Sequence, residues 1–396
     1  MRATNKKTDG GTSGALIAIF LALLWLPTCD WLWNMDQSSA ANEKRAPAEF
    51  PRYGSEKKMG VYLGRFEQFF NDHFGFRNQL VHWNAQWKHK LFDESPVERA
   101  LEGENGWLYW IGAGAMGNPT GQGRFQEKDL VGWQKCLEAR RDWLAQRGEK
   151  YLFVVAPDKQ SIYPEYLPAG RAQSGGSDKL DQFLAHMRAH SNVEVVDLRP
   201  ALIAAKKEGP TYLQTDTHWN NFGAFTACQQ LVGALQKQLP RLKPLALEAF
   251  DRKNIVTSGG DLAILLDQQN QMLETRPMLT PRLPLKPLRA LPMSRPGIIA
   301  VVTRNPQAQG KAVLFRDSFA EAWEPFLGYD FQEVIYVWKY AWNEELLERE
   351  KPEVVIDEIV ERNFNSTSRL EAPSTEDKPQ EPAPIAVGQS PKTPNP

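Results

Sequence analysis

Cysteine is scarce: the 396 residues contain three, too few for a disulfide framework, and none of Cys29, Cys136 and Cys228 stands in the CxxC spacing of a zinc or redox site. At most one bridge could form, and three free thiols are the equal alternative. Basic charge is not in excess either. The 47 Lys+Arg against 48 Asp+Glu leave a formal charge of −1, which argues against nucleic acid as a partner, because that role needs a basic surface to neutralise phosphates. No Gly-rich phosphate loop, metal-ligand cluster, Cys–His pair or internal repeat of 20–50 residues is present, so nucleotide cradles, metal centres, thiol catalysis and solenoids drop out. With 42% hydrophobic and 24% charged residues, the chain is neither wholly disordered nor a polytopic membrane protein.

Long apolar runs are missing with one exception, Gly14–Trp33 (GALIAIFLALLWLPTCDWLW). A helix crosses a bilayer core with roughly 20 apolar residues. Arg2, Lys6 and Lys7 ahead of the run predict a cytoplasmic N-terminus. Residues 1–13 then read as a cytoplasmic tail and 14–33 as a transmembrane signal anchor, with Trp25, Trp31 and Trp33 at its outer interface. A cleaved signal peptide competes, but no small-x-small site directly follows the run. Leu26-Pro27-Thr28-Cys29 departs from a lipoprotein box at its proline and threonine. Residues 34–65, polar and aperiodic, read as a linker. At the far end, 363–396 reads as a disordered Pro-rich tail: seven of the 26 residues from Glu371 to Pro396 are proline, and such a segment buries too little apolar surface to offset chain ordering.

Between 66 and 362, apolar runs of strand length alternate with helical patterns. YLFVVAP (151–157), VEVVDL (193–198), GIIAVVT (297–303), KAVLF (311–315), EVIYVW (333–338) and EVVIDEIV (353–360) are continuous and rich in β-branched residues, as strands covered on both faces are. Gln134–Gln146, Lys179–His190 and Phe222–Lys237 read as helices. The alternation implies an α/β fold with a mostly parallel, doubly wound sheet. Residues 243–296, rich in Pro, Leu and Arg, read as an insertion or long loop beside it.

Two constellations carry chemistry. In Gln214-Thr215-Asp216-Thr217-His218-Trp219-Asn220-Asn221, an Asp two residues before a His can set its carboxylate beside imidazole Nδ1 in an extended backbone, fixing the tautomer and stabilising imidazolium. The bland alternative is that Asp216 is structural and that Asn220 or Asn221 caps the next helix. In Arg316-Asp317-Ser318-Phe319, a buried strand ends, a turn carries Asp317 and Ser318, and a helix begins. Ligands of parallel sheets bind beyond the carboxyl ends of the strands, so Ser318 would be an exposed nucleophile with the Ser318 and Phe319 N–H groups as oxyanion donors. A plain helix cap is again the alternative. The other histidines, His73, His82, His89, His186 and His190, fall on helical patterns and read as surface or structural.

Asp216-Thr217-His218-Trp219-Asn220 with Gly223, and Asp317-Ser318-Phe319, resemble the SGNH-hydrolase-like domain of the alginate O-acetyltransferases, the AlgJ/AlgX type. The stretches 70–77, 103–109, Ala156-Pro157-Asp158-Lys159 with 163–168, Ser258-Gly259-Gly260-Asp261-Leu262, 325–327 and 351–356 are similar to that family too. The likeness spans roughly 66–362, and Arg316 stands where SGNH enzymes usually carry glycine. It implies a three-layer α/β/α fold, with Ser318 as nucleophile, His218 as base and Asp216 as its orienter, and a chemistry that needs no cofactor and no metal. It also implies a bacterial inner-membrane protein, single-pass, with its catalytic domain in the periplasm. The implied partners are an exported polysaccharide, an integral membrane O-acyltransferase delivering acetyl groups, and a polysaccharide synthase or secretion complex.

Of the many tryptophans most read as core. Trp219, beside His218, and Trp338, at a strand end, read as substrate-binding. Arg304-Asn305, at another strand end, reads as a site for an anionic sugar or an oxyanion donor, with turn formation before Pro306 as the alternative. Three functions remain: O-acetyltransferase, acetylesterase with the same triad, and noncatalytic polysaccharide-binding scaffold.

Overall fold

Unbroken β-branched runs are stable only when both faces are covered, and the computed structural model provides that cover. It describes residues 49–51, 59–76, 99–112, 124–169, 178–295 and 298–363, with scattered positions between 14 and 30. In chain order the elements are α1 (Met59–Asp72), β1 (Ala100–Glu102), β2 (Leu108–Trp110), α2 (Glu127–Ala145), β3 (Lys150–Ala156), α3 (Lys159–Ile162), α4 (Asp178–His190), β4 (Val195–Asp197), α5 (Arg199–Ala205), α6 (Asn221–Leu235), β5 (Phe250–Ser258), α7 (Asp261–Leu265), β6 (Leu273–Pro281), β7 (Ala290–Arg295), β8 (Ile298–Arg304), β9 (Lys311–Arg316), α8 (Glu324–Leu327), β10 (Glu333–Trp338), α9 (Glu344–Glu350) and β11 (Val354–Val360).

Seven strands form the main sheet in the order β4-β3-β11-β9-β10-β8-β7. The first five are mutually parallel, and β11 is buried along its whole length. Alternate side chains divide between two cores. Leu152, Val154, Leu314, Tyr336 and Ile356 pack with Ala224, Phe225, Cys228 and Leu231 of α6 on one face. Phe153, Val155, Val313, Phe315 and Val355 pack with Trp133 and Leu137 of α2 and Phe183 of α4 on the other. The result is the expected α/β sheet layered between helices. Cys136 and Cys228 are buried, unbridged thiols in cores on opposite faces of the sheet, which prevents a bridge between them.

The structure departs from the sequence reading in three places. β8 is antiparallel to β10, and β7 to β8, so the run at 297–303 belongs to an edge hairpin whose Ile299 is exposed, not to a strand covered on both faces. The segment 243–296, expected as a loop, contains β7 and a two-stranded antiparallel ribbon in which β5 pairs with β6 from Phe250↔Pro281 to Ser258↔Leu273. Its pattern was hidden because β5 exposes nearly every side chain, which removes the alternation that marks a strand. Helix α1 begins at Met59, inside the expected linker.

Among the described residues no helix is long and apolar enough to cross a membrane. Most of the expected anchor at 14–33, together with 1–13, 364–396, His82 and His89, lies outside the described residues.

Candidate active site

The site forms at the carboxyl end of the parallel strands. Strand β9 ends at Arg316, and Asp317 anchors the turn that follows. The Asp317 carboxylate accepts the Phe319 N–H at 2.9 Å, the Val360 N–H at 2.8 Å and the Tyr340 hydroxyl, while the Asp317 N–H donates to buried Glu358 at 2.9 Å. Burial, followed by the charge of Asp317, raises the Glu358 carboxyl well above the ordinary range. From the far side the Trp219 indole N–H donates to the Phe319 carbonyl at 3.0 Å. The backbone around Ser318 is thus tied to β11, Tyr340 and Trp219.

The loop at 214–220 is held as firmly. The Nζ of buried Lys159 donates to the carbonyls of Leu108 at 2.6 Å and Gln214 at 3.0 Å. Glu274 on β6 takes the Thr215 N–H at 3.0 Å and its hydroxyl at 2.8 Å. Asp261 takes the Thr217 N–H at 2.7 Å and its hydroxyl at 2.9 Å. Asn220 caps α6, accepting from the Gly223 N–H at 2.9 Å. Two glycines allow this closeness: a Cβ on Gly223 would lie 2.0 Å from the Thr211 carbonyl oxygen, and one on Gly260 would lie 2.4 Å from Asp216 Cβ.

Between these two braced segments three groups stand in line. His218 Nε2 is 2.8 Å from Ser318 Oγ, and His218 Nδ1 is 2.8 Å from Asp216 Oδ1, across a gap of 100 residues. Asp216 Oδ1 also accepts the His218 backbone N–H at 3.0 Å, and Oδ2 accepts the Asp261 N–H at 3.1 Å. Burial alone would raise the Asp216 carboxyl. The hydrogen bonds and charge of His218, with the Asp261 N–H, outweigh it and hold the group well below the ordinary carboxylate range. An ionised carboxylate on Nδ1 fixes the imidazole with Nε2 free to accept a proton, the arrangement that activates a serine hydroxyl.

The structure also supplies what sequence reasoning missed. Asp261 Oδ2 lies 3.8 Å from His218 Nδ1, a second carboxylate on the imidazole. Its segment was noticed only as part of the family likeness. It is carried there by Leu262, Ala263 and Leu266, which pack on Ala100 and Leu108 of the β1–β2 hairpin. Asp216, His218 and Asp261 bring ligand-type atoms within 4.8 Å of one another, a donor set that a cation could also use. Arg362 is paired with Asp158, lies across the Phe319 ring at 5.2 Å, and brings a cation to the same rim.

Other expected site residues fall differently. Phe319 is not a free oxyanion donor, because its N–H is engaged by Asp317. Trp219 does not line a groove: it is 3% exposed and stacks on Trp323 at 5.6 Å, so it supports the nucleophile turn from inside the core. Arg304 and Asn305 are at the wrong end of the sheet. Because β8 runs antiparallel, its last residue Arg304 pairs with Glu333, the first of β10, and a six-residue strand separates that end from Ser318 by roughly 20 Å. Arg304 binds Glu333 at 2.8 Å, and Asn305 makes a local turn by accepting the Gln307 N–H at 3.1 Å. Trp338 does reach the catalytic rim, 46% exposed and paired with Arg316 on β9.

Comparison with known proteins places the fold and the family. A family model described as SGNH hydrolase-like domain, acetyltransferase AlgX, matches residues 100–293, so the domain is of the SGNH-hydrolase-like class. The probable alginate O-acetylase AlgJ of Pseudomonas syringae pv. tomato is 30% identical over 279 residues, 68% of this chain and 64% of that protein. The protein of the same name in Pseudomonas putida is 31% identical over 196 residues, 49% of this chain and 47% of that protein. PatB1 of Bacillus cereus shares the fold, with a TM-score of 0.53 at 16% identity over 69% of this chain and 99% of that one. The chain belongs to the AlgJ/AlgX family, and it spans less than two thirds of the length of these AlgJ relatives.

Proposed function

We propose that this chain is an O-acetyltransferase that places acetyl groups on hydroxyls of an exported, alginate-like polysaccharide through an acyl-enzyme on Ser318. The observation that carries the reading is the continuous line from Ser318 Oγ through His218 to Asp216, with 2.8 Å at each junction. In the first half-reaction His218 Nε2 takes the Ser318 proton as Oγ attacks the acetyl carbonyl, and it returns that proton to the departing group of the donor. In the second, His218 deprotonates a sugar hydroxyl, which attacks the acetyl-serine ester, and Ser318 regains its proton. In this reading the Ser318 N–H meets the oxyanion in both steps, a type of contact worth about 3 kcal/mol of barrier. Asp216 and Asp261 stabilise the imidazolium that forms between them.

The AlgJ relatives, named as probable alginate O-acetylases, support alginate as the acceptor. The apolar run at 14–33 behind a basic flank supports a single-pass anchor in the inner membrane with the domain in the periplasm. An acetyl donor must then cross the bilayer, which supports an integral membrane O-acyltransferase and a polysaccharide secretion complex as partners.

The test is acetyl transfer from a chromogenic acetyl ester to an oligosaccharide. Wild type should transfer and Ser318→Ala should lose at least about 10³-fold. Ester hydrolysis without transfer would favour an acetylesterase. Equal activity of wild type and Ser318→Ala would leave a binding scaffold.

A further inference from the structure

We infer that Trp338 is the platform for a pyranose ring of the acceptor chain, and that Arg316 is the positioning residue that holds it beside the nucleophile. The inference rests on the transferase reading and adds where the acceptor lies.

Arg316 is two residues before Ser318 and pairs directly with Trp338 in the parallel β9–β10 register, so the indole rises about 4.8 Å to the side of the nucleophile strand. Along β10, Val334 and Tyr336 point into the same core as Trp219 and Phe319. Alternation puts Trp338 on that face too, the one from which His218 reaches Ser318. A sugar stacked there would present its hydroxyls to the imidazole side of the serine.

The arginine explains why this indole stays in place while half exposed. Arg316 is only 4% exposed, and its guanidinium covers one face of the Trp338 ring at 4.5 Å. The same guanidinium donates to the Asp317 carbonyl at 3.1 Å and to Glu324 at 3.1 Å, and it pairs with Glu321 at 3.5 Å. One side chain therefore joins the nucleophile turn, the helix after it and the platform. With Arg316 against the ring, Trp338 is still 46% exposed, and an exposed indole offers a flat apolar surface suited to the C–H face of a pyranose. The guanidinium charge is balanced by Glu321 and Glu324, so the platform selects for ring shape and not for anionic charge.

Calorimetry with an oligosaccharide of mannuronate and, in parallel, one of neutral glucose compares full-length Ser318→Ala with Ser318→Ala/Trp338→Ala and Ser318→Ala/Trp338→Phe; no catalysis is needed, so this result stands apart from the fate of the transferase reading. Loss of the indole should weaken binding roughly tenfold, the worth of one aromatic contact, and phenylalanine should restore most of it. In a catalytically intact chain, Trp338→Ala should raise the acceptor KM more than it lowers kcat. Arg316→Lys, which keeps the charge but loses the planar stack, should move the KM the same way by less. Equal affinity with and without the indole, or no binding to Ser318→Ala at all, would overturn the platform; tenfold tighter binding of one sugar that survives removal of the indole would assign selectivity elsewhere and overturn the role given to ring stacking.

Discussion

The two ends of the parallel sheet both carry ion pairs and differ in what surrounds them. At the amino end the Arg304 side chain is 66% exposed where it pairs with Glu333, itself 18% exposed, and Lys311 is 30% exposed. At the carboxyl end, Asp158 and Arg362 are 3% and 12% exposed and the His218–Asp216 pair 25% and 14%. Exposed pairs are screened and interchangeable with water, whereas buried ones hold fixed geometry and shifted titration. What separates the two ends is the line of contacts from Ser318 through His218 to Asp216 at the carboxyl end, whereas the amino end holds ion pairs.

The comparison can be sharpened by substitution. Apart from Ser318 itself, the largest effect is expected for Gly260→Ala: its new Cβ would come 2.4 Å from Asp216 Cβ, and displacing a catalytic group by such a margin lowers kcat on the order of 10²-fold, measurable with the chromogenic ester. Asp261→Asn should follow, at about tenfold, through weaker bonds to Thr217 and loss of the second carboxylate at His218. Combined with Asp216→Asn it should lose more than the product of the two single losses, since each acid partly covers for the other.

Next comes Lys159. Burial pushes its amine down from 10.5 to about 7, against the opposing pull of Asp216, Glu274 and Asp261. Between those values the unfolded chain holds the extra proton, so this contribution to stability is complete above about pH 10.5 and is lost as pH falls to about 7. Denaturant unfolding should show wild-type stability rising across that window relative to Lys159→Met. The smallest effect belongs to the other end of the sheet: Arg304→Ala should shift stability by no more than about 0.5 kcal/mol and leave transfer rates alone. A large loss of transfer there would break the contrast.

Much of the site was legible because its pieces are local. Asp216 and His218 are two residues apart, and Ser318 follows a strand whose apolar run is unmistakable. Asp261 was not legible as a neighbour of His218, since it heads the short helix α7 between the two ribbon strands and meets His218 only through tertiary packing. Trp219 and Trp338 have the same side chain and equal claims in the sequence. One is roofed by Trp323 and the other opens to solvent, a difference that depends on layers built from residues far along the chain. The direction of β8 was hidden too, because a β-branched run reads the same either way, and that direction sent Arg304 to the wrong rim.

The sequence by itself determined the α/β alternation, the single long apolar run, and the identities of serine, histidine and aspartate, because composition and short-range periodicity act within a few residues. Only the tertiary structure decided which groups share the rim: the insertion of the last strand between β3 and β9, the antiparallel β8 and the docking of the ribbon set those distances. They are long-range pairings, and no local pattern encodes which distant surface a buried face will meet.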